Sequence, residues 1–270
     1  MLNPQWILPV EAFIFGLVLG SFLNVCIYRL PLGLSVLGRS FCPRCSAPIP
    51  LYRNIPLISY LLQKGKSRCC AMPISSQYPV VELLTGLVSV LTFFHSPTFT
   101  QYFLWFLLFM CPLLVISIID LKLKIIPDVI SMPFILVGLG VTLFMKYPDW
   151  IAALKMSSLG ILIGGGSLLL LAAIVSRLKK TEAMGGGDIK LSAMLGAFLG
   201  WKALIFVFFV SSVLALVYAL CLMIFDQKKR GETIPFGPFL SMAAMIFWLY
   251  GREITDVYFH ASGFGKNPFF

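Results

Sequence analysis

Two carboxylates, Asp120 and Asp188, carry the clearest capacity for chemistry in this sequence. Asp120 closes the apolar run Ile118-Ile119-Asp120, and Asp188 opens another directly after Gly185-Gly186-Gly187. An acid against hydrocarbon is costly unless it has a partner or water, which makes each a functional candidate. The plainer reading is a helix-end charge at an interface. A pair on one membrane face, one of them behind a glycine run, favours catalysis. Two carboxyls in one site cannot both ionise readily. The ionised one takes a proton from water while the protonated one polarises a peptide carbonyl. Gly185, Gly186 and Gly187 leave room for an extended substrate backbone, because no side chain stands in its way. Asp188 falls at a helix N-terminus and Asp120 at a C-terminus. The helix dipole therefore suggests Asp188 as general base and Asp120 as its protonated partner, although Lys122 and Lys124 oppose that split.

Cysteine is the second reactive type. Cys42, Cys45, Cys69 and Cys70 lie in the only long polar stretch, where metal or redox chemistry fits. Cys26, Cys111 and Cys221 sit inside apolar runs and read as small hydrophobes. The acids Glu11, Asp149, Glu182, Asp226, Glu232, Glu253 and Asp256 read as solvated surface charges. Gly164-Gly165-Gly166 reads as a helix-packing site, since no strand and glycine turn precede it to form a nucleotide-type cofactor fold.

The elements that position these residues follow from hydropathy. Hydrophobic residues make up 59% of the 270, charged residues 12%, and mean hydropathy is +0.93. Soluble chains carry about 45–50% and about 25% respectively. A soluble enzyme, a disordered tail and a disulfide scaffold are thereby excluded. The chain is expected to be an all-α polytopic membrane protein. Apolar runs fall at 9–28, 83–94, 101–119, 130–145, 156–175, 191–200, 203–225 and 235–250, giving about eight transmembrane helices. The run at 191–200 is too short to span alone. No basic residue and no small-residue cleavage site mark the first run as a signal peptide, so it is expected to be retained.

The net charge of +10 reads as loop orientation rather than as nucleic-acid binding. With eight crossings, the basic residues of 29–68, Lys122, Lys124, Arg177, Lys179, Lys180, Lys190 and 228–230 all fall inside. Lys146, Lys155, Lys202, Arg252 and Lys266 fall outside. Seven crossings would expel the 228–230 cluster. The organisation expected is a first transmembrane helix at 9–30, a small cytoplasmic Cys-containing domain at 31–79, and a membrane domain at 80–270.

The motifs, taken in order, resemble the bacterial type IV prepilin peptidase family nearly end to end. They run from Gly20-Ser21-Phe22-Leu23-Asn24-Val25 and Tyr28-Arg29-Leu30-Pro31 through Cys42-Pro43-Arg44-Cys45. Next come Pro73-Ile74-Ser75, Tyr78-Pro79-Val80-Val81-Glu82-Leu83-Leu84-Thr85-Gly86, and Ile119-Asp120 with Ile126-Pro127-Asp128. The series ends with Met184-Gly185-Gly186-Gly187-Asp188-Ile189-Lys190-Leu191 and Ile234-Pro235-Phe236-Gly237-Pro238.

The resemblance implies a bifunctional enzyme of the bacterial inner membrane with its active site facing the cytoplasm. Such enzymes cut the leader of type IV prepilins and pseudopilins after a glycine, then methylate the new N-terminus with S-adenosylmethionine. They serve pilus biogenesis and type II secretion. The catalytic aspartates of the family match Asp120 and Asp188, and their chemistry needs no metal. Asp128 is expected to be structural or supportive. Glu82, beside Tyr78, reads either as a contact for the amine or cofactor or as a charge at the start of a helix.

Family members often carry two Cys-x-x-Cys pairs resembling a zinc site. Here the second reads Gly65-Lys66-Ser67-Arg68-Cys69-Cys70, with Ser67 in place of the third ligand. A shifted zinc site of all four cysteines, a three-cysteine site completed by water, and free thiols in a reducing cytoplasm all remain open, with zinc the expectation. Two other functions fit the class. A membrane transporter would favour acids at the midplane of several spans. A non-catalytic scaffold for pilus assembly would tolerate loss of either aspartate.

Overall fold

A backbone in hydrocarbon must satisfy its own polar groups, and helices do so within one segment. Helix is accordingly the regular structure of this chain; outside it the described residues show only two isolated antiparallel bridges, Phe41 with Pro48 and Lys66 with Pro73. The structure is a computed structural model describing residues 4–42, 44–179, 185–225 and 233–261. Pro43, Lys180, Glu182, Met184, Asp226, Glu232, Lys266 and the basic cluster at 228–230 lie outside the described residues.

The helices are α1 (Pro4–Arg29), α2 (Ile58–Leu62), α3 (Gln77–His95), α4 (Phe99–Trp105), α5 (Cys111–Leu123), α6 (Asp128–Met145), α7 (Trp150–Lys179), α8 (Gly186–Leu199), α9 (Trp201–Phe225) and α10 (Gly237–Ala261). A π-helical segment, Phe106–Met110, joins α4 to α5. Pro112 follows directly; a proline inside a helix lacks the N–H and crowds the carbonyl four residues back, so the preceding turn widens.

Among the described residues six helices are long and apolar enough to cross a membrane: Trp6–Leu32, Gln77–His95, Phe99–Leu123, Asp128–Met145, Trp150–Leu178 and Trp201–Ile224. Two of the expected eight are different in kind. Helix α8 has 14 residues, about 21 Å, against a hydrocarbon core of about 30 Å. Helix α10 is 25 residues long, but Arg252, Glu253 and Asp256 charge its second half.

The chain forms two compact units that meet in sequence at Cys111–Pro112. In the first, α1 packs along α3, with the backbone of Gly20 so near Glu82 that a Cβ would fall 2.7 Å from the Glu82 Cα. Asn24 ties the two helices by donating to the Tyr78 carbonyl at 3.1 Å. Arg29 folds the segment after α1 around itself. Its guanidinium donates to the carbonyls of Ser35 (3.0 Å), Leu37 (3.2 Å) and Arg39 (2.9 Å) and lies over the Phe41 ring.

In the second unit α8 is the centre. Leu191 to Phe198 are buried without interruption, against α6, α7, α9 and α10. A helix that stops among other helices leaves carbonyls unpaired at its end. Ser157 supplies the Ala197 carbonyl at 2.8 Å, and Thr142 supplies it at 3.0 Å. Gly200, at φ 79°, turns the chain out. Along the α7 face Gly160 and Gly196 each stand against the other's carbonyl, closer than any Cβ tolerates. The run at Gly164 is packed in the same way onto the Ser192 carbonyl, while Gly166 faces open space.

Gly196→Val therefore cannot be absorbed by a flexible side chain. It is expected to cost at least about 3 kcal/mol, the upper end of overpacking. Thermal unfolding in detergent measures it, with Gly140→Ala, which meets nothing within 4 Å, as a near-neutral control.

Candidate active site

Helix α5 runs to Leu123, so Asp120 lies one turn inside the helix end rather than at it. The residue is 5% exposed. Buried carboxyl oxygens need donors, and Asp120 Oδ2 accepts the backbone N–H of Gly237 at 3.0 Å. Asp188 stands in the first turn of α8, its own N–H bonded to the Gly185 carbonyl at 3.2 Å. Its Oδ1 is buried with no protein partner, and it is near enough to Asp120 to feel that carboxyl's charge. Ser192, one turn below Asp188, and Ser241, one turn beyond Gly237, also carry buried hydroxyls without protein partners. Water or a peptide group would satisfy the unpartnered Asp188 oxygen.

Ile126 holds this end of the unit together. Its side chain fills the space over Gly187, where a Cβ would come within 2.8 Å, and over Gly237, where a Cβ would fall 3.1 Å from Cδ1. The starts of α8 and α10 therefore both rest on the turn between α5 and α6. The three glycines expected to admit a substrate divide accordingly. Gly186 meets nothing and Gly185 meets only Asp188 Oδ2 at 3.9 Å, whereas Gly187 is a packing residue.

The dipole argument for the roles of the two acids loses its ground here. Asp120 does belong to the last turns of α5, but its carboxyl faces the first N–H of α10. Both acids therefore stand at helix N-termini. The Gly237 contact was not legible in sequence, although the Ile-Pro-Phe-Gly-Pro motif marked the spot. Nor was the partner of Asp128: both its oxygens accept from Lys190 Nζ at 2.7 Å, joining the first turns of α6 and α8.

In the first unit the cysteines converge. The sulfurs of Cys42, Cys45, Cys69 and Cys70 all lie within 4.8 Å of one another. Two turns of the same construction hold them. Cys42 N–H bonds the Ala47 carbonyl (2.9 Å) and Ser46 N–H the Cys42 carbonyl (2.8 Å). Likewise Ser67 N–H bonds the Met72 carbonyl (2.8 Å) and Ala71 N–H the Ser67 carbonyl (2.7 Å). Ser46 and Ala71 share the same left-handed conformation, φ 57° and 55°. Residue for residue, Cys70 matches Cys45 and Ser67 matches Cys42, while Cys69 takes the place of Arg44.

Tetrahedral zinc with Zn–S near 2.3 Å sets its sulfurs about 3.8 Å apart. Cys42 and Cys70 are 3.8 Å apart, Cys69 and Cys70 3.9 Å, and Cys45 and Cys69 3.2 Å. The set therefore fits a four-coordinate metal with Cys69 in place of Ser67, whose hydroxyl lies 3.0 Å from the Cys69 sulfur. Backbone hydrogen bonds from Arg44 and Cys45 hold the Cys42 thiol below the usual thiol range.

Glu82 is buried, and its Oε2 accepts the N–H of Leu57 at 2.8 Å. Leu57 is in an unusual conformation for a side-chain-bearing residue, φ 59° and ψ −49°, at the start of α2. Glu82 thus anchors the polar segment to α3.

Comparison with known proteins is consistent over nearly the whole length. The bacterial peptidase A24 N-terminal domain matches residues 14–96, and the type IV leader peptidase family matches residues 107–220. A prepilin leader peptidase/N-methyltransferase of Aeromonas salmonicida is 36% identical over 94% of both chains. Proteins of the same name from Pseudomonas aeruginosa and Neisseria gonorrhoeae are 35% identical over 93% of both chains and 34% identical over 88% of both. No solved structure matches the chain.

Proposed function

The chain belongs to the type IV leader peptidase family, and we propose that it cleaves the leader of type IV prepilins and pseudopilins with Asp120 and Asp188. The side of action is the cytoplasmic face of the bacterial inner membrane, after a glycine of the substrate, in support of pilus biogenesis and type II secretion. The observation that carries this reading is the pair itself. One buried carboxyl is fixed by a backbone N–H, and the other, beside it, presents a buried oxygen without a protein partner.

The reaction follows from two carboxyls that share one proton. The ionised acid takes a proton from water as the water oxygen attacks the scissile carbonyl. The protonated acid hydrogen-bonds the carbonyl oxygen while charge builds there. The tetrahedral intermediate then collapses, and the proton first taken from water passes to the leaving amine. Open backbone at Gly185 and Gly186 leaves an extended segment of substrate free to lie beside the acids. A prepilin is an apolar helix with a charged leader, so its scissile bond reaches the enzyme at the boundary of water and lipid.

The relatives' name also supports methylation of the new N-terminus. S-adenosylmethionine supplies the methyl group when bound. Glu82, whose Oε2 accepts the Leu57 N–H, is assigned to this step as a contact for the amine or the cofactor. We assign Cys42, Cys45, Cys69 and Cys70 as the ligands of a zinc ion that holds the two matching turns together.

Coexpression with a prepilin and mass spectrometry of the product tests cleavage. Wild type yields a mature chain beginning after the glycine and one methylene heavier than the unmodified form. Asp120→Asn and Asp188→Asn each lose cleavage by at least about 10³-fold, within the range for removing an acid or base. Full cleavage by both variants would return the transporter or scaffold reading.

Metal analysis of the purified chain is expected to give one zinc, lost in Cys69→Ser and kept in Ser67→Cys. Retention of zinc in Cys69→Ser would remove Cys69 from the ligand set.

A further inference from the structure

The segment Ile234-Pro235-Phe236-Gly237-Pro238 supplies the backbone N–H that meets the buried acid. Its geometry is specific. In the first turn of α10 the N–H groups of Phe239 and Leu240 both go to the Phe236 carbonyl, at 3.1 Å each. Pro238 has no N–H. Gly237 therefore holds the one remaining donor of that turn, and it is aimed at Asp120 Oδ2 at 3.0 Å. The approach is so close that a Cβ on residue 237 would fall 2.6 Å from that oxygen and 3.3 Å from Asp120 Cγ. The same Cβ would also come within 3.1 Å of Ile126 Cδ1.

We propose that Gly237 is a positioning residue for the peptidase reaction, its backbone N–H and missing side chain together fixing the Asp120 carboxyl in the orientation that meets Asp188. The inference rests on the assignment of Asp120 and Asp188 as the catalytic pair. The rest of the motif serves the same end. Pro235 restricts the chain entering the turn, and Pro238, inside the first turn, fixes φ at a value the helix needs while leaving no second donor to compete for the carboxyl. One oxygen of Asp120 is thereby spent on α10, which leaves the other to the reaction. A carboxyl held at neither oxygen could rotate about its Cβ–Cγ bond; held at Oδ2, it presents a single face.

Gly237→Ala is the direct test, read as steady-state cleavage of a prepilin in detergent beside Asp120→Asn, Asp188→Asn and wild type. A misplacement of about 1 Å at a reacting group costs on the order of 100-fold. The expected result is a kcat lower by about 100-fold with KM within about threefold of wild type, since the substrate-facing Gly185 and Gly186 are untouched. Equal kcat in Gly237→Ala and wild type, with both Asn variants inactive, would overturn this inference and leave the catalytic pair standing. Active Asn variants would overturn the pair itself.

A second measurement does not depend on activity. The alanine methyl collides with the Asp120 side chain, so truncation of Asp120 relieves it. Gly237→Ala is expected to lower Tm in the wild-type background and to lower it much less in an Asp120→Ala background. An equal loss in both backgrounds would show that residue 237 acts on the helix start and not on Asp120, and would likewise overturn the proposal.

Discussion

Hydrocarbon tolerates no unpaired backbone group, and that constraint decides how the second unit can hold two acids. A helix of 14 residues is too short to cross, so the carbonyls where α8 ends need partners, and the Gly200 N–H meets the carbonyl of Gly196. Thr142 and Ser157, from α6 and α7, both meet that of Ala197. The reciprocal contact of Gly160 and Gly196 makes this possible, because only backbones without side chains approach closely enough to bury α8 on all sides.

The same logic runs through the acid site. Asp120 needs a donor because it is buried, and Gly237 needs an acceptor because it opens a helix. Each satisfies the other. Ile126 supports both partners from one side chain, touching the starts of α8 and α10. The Lys190–Asp128 pair adds a tie between α6 and α8, but half-exposed charges of this kind contribute little by themselves. Position is held chiefly by packing and by one backbone hydrogen bond.

The first unit solves a different problem with the same economy. Its polar segment is too small to build a hydrophobic core. It is organised instead around Arg29, the Glu82–Leu57 contact and the four sulfurs. The two matching turns explain how the altered second motif keeps a fourth sulfur. Cys69 lies one residue from Cys70 and, across the turn, beside the empty role of Ser67, so a change of ligand position needs no change of loop.

Much of this was determined by the sequence alone. Hydropathy gave a helical membrane protein, the ordered motifs gave the family, and the placing of Asp120 and Asp188 at the edges of apolar runs marked them for chemistry. Composition records where charge and oil lie along the chain, and both are strictly local quantities. Only the tertiary structure decided that α8 is enclosed by α6, α7, α9 and α10, because that depends on which distant helices fold against it. It alone revealed that Asp120 belongs as much to α10 as to α5, which removed the helix-dipole distinction between the two acids. A hydrogen bond from residue 237 to residue 120 has no signature in spacing; it exists because folding brings the start of one helix against the end of another.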